Sequence, residues 1–243
     1  MRIVAWNCNM ALDRKLNVLL ALRPDIAVIC ECAAPERFRL RCASPRIECD
    51  PVWVGRNPHK GLAVFAFNGY AARLAEPYHP RLRYVAAVHV SGPTECNLLA
   101  VWAQNASAGI NRKHQIGPLR RALARYRDFL SARPAIIAGD LNSNAIWDKP
   151  GWRNNHTTTV AIMAELGLVS AYHAIRGEAH GKESEPTLYW RDRTKDGPTY
   201  HIDYVFMPSL WIGKVRELSI GTFEAWCGSG LSDHVPVVVD VDV

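Results

Sequence analysis

Pro134-Ala135-Ile136-Ile137-Ala138-Gly139-Asp140-Leu141-Asn142 is the stretch on which the reading of this chain turns. A short apolar run rich in Ile and Ala reads as a buried strand. Side chains alternate along a strand, so Asp140 and Asn142 would share one side and Leu141 would take the other. The strand then ends by presenting a carboxylate and a carboxamide at one rim of a sheet. Gly, Asp and Asn are also ordinary turn residues, and taken alone this stretch reads as a turn before it reads as a site.

Similar strand ends recur. Ile3-Val4-Ala5-Trp6-Asn7 closes on Asn7, Asp25-Ile26-Ala27-Val28-Ile29-Cys30-Glu31 closes on Glu31, and His201-Ile202-Asp203-Tyr204-Val205-Phe206 embeds Asp203. Ser232-Asp233-His234 precedes the run Val235-Pro236-Val237-Val238-Val239. Ionised groups in or beside apolar strands must be paired, hydrogen-bonded or metal-bound. Convergence on one metal-containing site explains them all together.

The chain of 243 residues is long enough to bury a full core, and no internal linker divides it, so residues 1–243 are expected to form a single domain. An apolar fraction of 49% and a charged fraction of 21% are those of an ordinary globular protein, and no apolar stretch reaches the length of a membrane span. The first residues enter a strand with no charged-then-apolar leader, from which a cytoplasmic protein is expected; a monomer is expected too. The cysteines (Cys8, Cys30, Cys32, Cys42, Cys49, Cys96 and Cys227) are odd in number and scattered, which suits free thiols better than a disulfide framework. Cys30-Glu31-Cys32 has no second Cys/His pair at zinc-ligand spacing, so its thiols read as buried and unligated. A net charge of +6 and a pI near 9.0 favour anionic partners such as nucleic acid, though only weakly.

Leu12, Leu16, Leu19 and Leu20 recur at helical spacing until Pro24, giving a strand–helix–strand opening. Residues 33–58 hold several prolines and little periodicity and read mostly as loop with short strands. Strands are expected over residues 61–67, 83–90 and 97–103. Pro118 suits the first turn of a helix carrying Leu119, Leu123, Tyr126 and Leu130, whose Arg120, Arg121, Arg125 and Arg127 read as a solvated face. The loop 143–156 interleaves Trp147, Trp152, Lys149, Arg153 and His156, residues that can stack bases and contact phosphates or simply pack a surface. A helix over 157–166 is stopped by Gly167, residues 176–186 read as a mobile loop, and 187–190 with 200–207 read as a strand pair. The last strand spans 235–241. Strands in groups with helices between them suggest two packed sheets with helices outside.

Glu31, Asp140, Asp203, Asp233, Asn7 and Asn142 are all oxygen donors, a set that selects Mg2+ or Mn2+ over zinc. Such a metal polarises a phosphoryl oxygen and stabilises the leaving oxygen. An Asp203–His234 pair would hold an imidazolium against a phosphate, while Asp140 accepts the proton of a water positioned by Asn142. Metal-assisted hydrolysis of a phosphoester fits. His89, His114, His173 and His180 join no motif and read as surface or packing histidines.

In order, Trp6-Asn7, Glu31, Gly139-Asp140-Leu141-Asn142, Ile202-Asp203-Tyr204 and Ser232-Asp233-His234 resemble the motifs of the endonuclease/exonuclease/phosphatase superfamily. The resemblance implies an α+β fold, a four-layer α/β/β/α sandwich of two packed, mainly antiparallel sheets flanked by helices, with the site at the sheets' shared rim. It implies Glu31 as main metal ligand, helped by Asn7 and Asp233, with Asn9 where some members carry a metal-site Asp. It also implies Asp140 as orienter or base for water, Asn142 as its holder, and Asp203–His234 as the phosphate-facing pair. After the strand at residues 98–101 many members place a His or Tyr toward the phosphate or leaving group; here Trp102 stands in that position. Indole cannot act as a general acid, so Gln104 or Asn105 takes the contact, the leaving group needs less help, or the register differs.

The function expected is a Mg2+- or Mn2+-dependent phosphodiester hydrolase, an endo- or exonuclease acting on nucleic acid. The alternatives are a phosphatase or phosphodiesterase on a small or lipid-derived phosphoester, and a non-catalytic phosphate-binding protein.

Overall fold

The computed structural model describes residues 1–37, 50–82, 84–103, 119–152, 154–190 and 194–243. Its strands, in chain order, are β1 (Arg2–Asn7), β2 (Ile26–Cys32), β3 (Val52–Asn57), β4 (Lys60–Ala66), β5 (Ala71–Leu74), β6 (Val85–Ser91) and β7 (Cys96–Trp102). They continue as β8 (Ala135–Asp140), β9 (Leu168–Ser170), β10 (Leu188–Tyr189), β11 (Thr199–Tyr200), β12 (Asp203–Pro208), β13 (Val215–Ile220) and β14 (Val237–Val241). Two six-stranded sheets result, ordered β13-β14-β1-β2-β4-β3 and β5-β6-β7-β8-β12-β9, with β10 and β11 forming a separate pair. Neighbours are antiparallel except β1–β2 and β7–β8, which are parallel.

Alternation along the strands builds the layers. Ile3 and Ala5 of β1, Ile26 and Val28 of β2, Ile136 and Ala138 of β8, and Val205 and Met207 of β12 fill one core between the two sheets. The intervening residues Val4, Trp6, Ala27 and Ile29 face outward onto Leu16, Leu19 and Trp226, from the helices Leu16–Ala21 and Phe223–Trp226. On the opposite side Ala135, Ile137, Tyr204 and Phe206 meet Leu119, Leu123, Phe129, Leu130 and Met163, from the helices Leu119–Arg125, Arg127–Ser131 and His156–Glu165. Each buried aliphatic side chain contributes about 1.5–3 kcal/mol, so both faces of both sheets must be covered. The architecture is a helix/sheet/sheet/helix sandwich, as expected.

Several elements differ from expectation for identifiable reasons. The leucine-rich segment starts as a 3-10 turn (Leu12–Arg14) before the α-helix. The helix expected through Leu130 breaks at Tyr126, whose buried hydroxyl accepts a hydrogen bond from His79 N at 2.9 Å. The strand pair expected from 187–190 and 200–207 divides: β10 pairs with β11, whereas β12 leaves to pair with β8 and β9. Thr187 Oγ1 accepts from Ile202 N and Asp203 N, taking two backbone donors at the point of division. The last strand begins at Val237 rather than Val235, with His234 making only an isolated bridge to Leu188. Loop 176–186 is fastened at several points, Arg176 to Glu185 and both Tyr172 and Ser184 to Glu178. The expected sites at Gln104, Asn105 and Arg153, the helix start at Pro118, His114, Cys42 and Cys49 lie outside the described residues. Among the described residues no helix is long and apolar enough to cross a membrane.

Candidate active site

The same alternation that fills the inter-sheet core carries polar residues to its rim. Asn7 follows Ile3 and Ala5, Asp140 follows Ile136 and Ala138, and Asp203 precedes Val205 and Met207, so all three continue the inward-facing rows of their strands. Asp203 is paired opposite Asp140 in the β12–β8 register. The two carboxylates and His234 bring one ligand atom each within 4.8 Å of one another, and all three residues are buried.

Asp140 sits at a strand end that becomes a turn. Its Oδ1 accepts from Asn142 N at 2.8 Å, and its Oδ2 accepts from Asn142 Nδ2 at 2.9 Å and from Asn7 Nδ2 at 3.0 Å. Asn142 therefore reaches Asp140 by folding back at φ 47°, not by strand alternation. Leu141 packs on the helix side of its sheet and donates its N–H to Ile202 O. Gly139 makes the approach possible: its φ is +129°, and a Cβ there would lie 2.0 Å from Val101 O. Burial pushes the Asp140 carboxyl up and the Asp203 charge adds to it; His234, Asn7 and Asn142 oppose, and the result is about 7.

His234 Nδ1 lies 2.7 Å from Asp203 Oδ2, which also accepts from Thr187 Oγ1 at 2.7 Å. Burial alone would push the imidazole down, but the Asp203 carboxylate, with Asp140 and Asp233 beyond it, outweighs burial and raises it to about 10. His234 is thus an imidazolium at neutral pH. Its backbone is held from both sides: Trp6 Nε1 donates to His234 O at 3.1 Å, and Ser232 Oγ accepts from His234 N at 3.1 Å while donating to Asn7 O at 2.7 Å. Asp203 Oδ1 is buried without a hydrogen-bond partner among the described residues.

Glu31 lies in a bulge, where the β2–β4 register shifts between Cys30 and Cys32, and takes φ 62°. The bulge turns Glu31 toward Asn7 Nδ2, 3.4 Å from its Oε1, and toward Lys60 Nζ, 2.9 Å from its Oε2. Cys30 and Cys32 stay buried and free. Asn9 contributes its backbone N–H to Asn7 Oδ1 at 3.1 Å. Asn9, Met10 and Ala11 all have positive φ, and Lys15 Nζ caps the Cys8 and Met10 carbonyls of that loop. Left-handed backbone at Asn9, Glu31 and Asn142 concentrates strain around one rim, as at functional sites elsewhere. Asp233 is half-exposed beside Ser232, whose Oγ is 3.5 Å from its Oδ1.

Trp102 lies at the sheet end level with Asp140. It is paired opposite Asp140 in the β7–β8 register but is buried in the inter-sheet core against Tyr84, ring centroids 4.6 Å apart, with Lys60 Nζ 5.3 Å from its ring. In the loop after β8, Trp147 packs on Tyr200 and Lys149 lies over Trp152, so its aromatics make contacts within the protein. Sequence reasoning gave no role to Thr187, Ser232 or Lys60. Ser232 opens the motif Ser232-Asp233-His234, but Thr187 begins a run that shows only a strand and Lys60 precedes one.

Glu31, Asn7 and Asp233 supply carboxylate and amide oxygens, hard donors that fit Mg2+ or Mn2+ and offer no thiolate or imidazole to a softer ion. Such an ion would share Glu31 with Lys60.

No family model matches the sequence, and no curated protein matches it. Solved structures do match. A 3' phosphatase, NExo, from Neisseria bound to product DNA hairpin is 18% identical with TM-score 0.71 over 100% of both chains. An AP endonuclease from Archaeoglobus fulgidus is 18% identical with TM-score 0.67 over 100% of both chains. An endonuclease/exonuclease/phosphatase from Beutenbergia cavernae is 20% identical with TM-score 0.65 over 100% of this chain and 71% of that one. The chain has the fold these proteins share.

Proposed function

We propose that this protein is a divalent-metal-dependent phosphoesterase that hydrolyses phosphodiester bonds of nucleic acid. The observation that carries the reading is the buried Asp140–Asp203–His234 cluster, a carboxylate poised near 7 beside an imidazolium. A base with that affinity can accept a proton from water at neutral pH. Three of the four lone-pair positions of Asp140 are taken by Asn7 and Asn142, which leaves one for the water's proton. With Nδ1 committed to Asp203, His234 offers Nε2 as a cationic donor to a phosphoryl oxygen. Water adds to phosphorus, its proton passes to Asp140, and the bond to the leaving oxygen breaks. Glu31, Asn7 and Asp233 would hold Mg2+ or Mn2+, which when bound polarises the phosphoryl group and stabilises the leaving oxygen.

The nucleic-acid substrate is supported by the net charge of +6 and by the AP endonuclease and the DNA-bound phosphatase among the fold's neighbours. Residues 1–243 act as one catalytic unit, because Asn7 and Glu31 come from one sheet and Asp140 and Asp203 from the other. The 3' phosphatase among the neighbours favours a second reading, removal of a terminal phosphate from a DNA end.

The test is a labelled panel of duplex DNA, abasic-site duplex, single-stranded DNA, 3'-phosphorylated DNA and RNA, assayed with Mg2+ or Mn2+ at two salt concentrations. Cleavage whose KM rises steeply with salt supports a nucleic-acid substrate, through counterion release. Release of phosphate alone selects the second reading. Turnover of small phosphoesters with an inert nucleic-acid panel would overturn the proposal.

A further inference from the structure

A second polar cluster lies away from the carboxylate rim, built from residues that the catalytic reading does not use. His156 opens the helix His156–Glu165, His173 lies in the helix Ala171–Arg176, His180 and Glu183 are in the following loop, and His201 precedes β12. His173 Nε2 is 3.0 Å from Glu183 Oε1, and His156 Nε2 is 2.9 Å from His180 Nδ1. The His173 and His180 rings stack with centroids 3.5 Å apart. One ligand atom each from His173, His180 and Glu183 lies within 4.8 Å of the others.

The outer ring nitrogens are fixed in a repeated way. His173 Nδ1 meets Ser170 Oγ at 2.8 Å, His156 Nδ1 meets Ser143 Oγ at 2.9 Å, and His201 Nδ1 meets Glu185 O at 2.7 Å. His173, held at Nδ1 by Ser170, thus keeps Nε2 for the remaining contact, the arrangement by which metal-ligating histidines are held, while His180 has its Nδ1 against His156. His201 Nε2 is buried with no partner among the described residues, an unmet polar atom beside the cluster, its ring centroid 5.9 Å from that of His173. Both Glu183 oxygens accept from Gly181 N at 3.0 Å, so the carboxylate is oriented in advance.

We infer that His173, His180 and Glu183 bind one transition-metal ion of the Zn2+ class, with His156 as the nearest further donor, at a site separate from the carboxylate rim. Two imidazoles and a carboxylate are a borderline-soft donor set suited to Zn2+ rather than Mg2+. An ion here would join the loop at 177–186 to the helix before it. Tyr204, which donates to His201 O at 2.7 Å and approaches Ser143 O at 3.1 Å, connects this region to the strand that carries Asp203.

The test uses the full chain without a polyhistidine tag, loaded with excess Zn2+ and dialysed against Zn2+-free buffer containing Mg2+. Elemental analysis is expected to find about one Zn2+ per chain in the wild type and in Glu31→Gln, and close to none in His180→Asn and Glu183→Gln. Zn2+ should raise the Tm of the wild type and leave that of His180→Asn unmoved. Wild-type protein loaded with Co2+ should show visible absorption that Zn2+ abolishes, a readout that requires no variant to fold. Wild-type protein that retains no stoichiometric Zn2+ and shows no such band would overturn the site. So would Zn2+ lost in Glu31→Gln but retained in His180→Asn.

Discussion

Asp140 and Asp203 stand opposite one another across β8 and β12, so two carboxylates from neighbouring strands meet at one buried point beside His234. Like charges so close cannot both be freely ionised, and the imidazolium at His234 offsets part of the repulsion.

The pH–rate profile should carry this arrangement. With Asp140 near 7 and His234 near 10, kcat/KM rises with pH up to about 7, stays level, and falls above about 10. Measured from pH 5 to 11 on a fixed nucleic-acid substrate, a profile with no acid limb near 7 would argue against Asp140 as the base.

Stability should fall above neutral pH. A group whose folded-state affinity for protons is raised stabilises the fold fully below its unfolded pKa and loses that contribution as pH rises through the folded value. For Asp140 the loss runs from about 4 to about 7, and for His234 from about 6.5 to about 10. Between pH 7 and 9 the decline belongs mainly to His234, since the buried thiols Cys8 and Cys96 act above that range. Denaturant midpoints should drop over this window in the wild type and drop much less in His234→Gln.

Thr187→Val tests the support of Asp203. The hydroxyl donates to Asp203 Oδ2 and accepts from Ile202 N and Asp203 N, and Thr187 is fully buried. Its loss leaves buried donors unmet at a cost of about 1–3 kcal/mol. kcat should fall about tenfold or more, with KM little changed and the alkaline limb displaced, because His234 loses a fixed partner. An unaltered alkaline limb would confine Thr187 to a folding role.

Gly139→Ala should destabilise the protein by on the order of 3 kcal/mol or more. The added methyl meets Val101 O at 2.0 Å and the backbone is at φ +129°, where an L side chain is strained. Thermal unfolding of the variant measures it, and a Tm close to wild type would contradict the close β7–β8 approach.

The layers and the gathering of the candidate site's strand ends were legible because both follow from periodicity. Apolar strands ending in Asn7, Glu31, Asp140 and Asp203 mark a sheet rim, and alternation carries three of these side chains inward. Elements too short for a period were not legible, namely β5, β9 and the helices Ala171–Arg176 and Phe223–Trp226, and β13 shows no alternation because only Leu218 of it is buried. Glu31 ends an apolar run in the sequence, but the bulge that turns it is a backbone event with no sequence signature. Thr187 acts through contacts to residues 202 and 203, which only the division of the strand pair creates. His173 and His180 read as packing or surface residues because their partners, His156, Glu183 and His201, come together only in three dimensions.

The most direct measurement is single-turnover cleavage of a labelled DNA duplex by the wild type and by Asp140→Asn, each with Mg2+ and with Mg2+ plus excess EDTA. The wild type should cleave only with free Mg2+, and Asp140→Asn should be slower by about 10²–10⁴-fold while keeping wild-type circular dichroism. Cleavage by Asp140→Asn at the wild-type rate, or by the wild type in excess EDTA, would contradict a metal-dependent hydrolysis centred on Asp140.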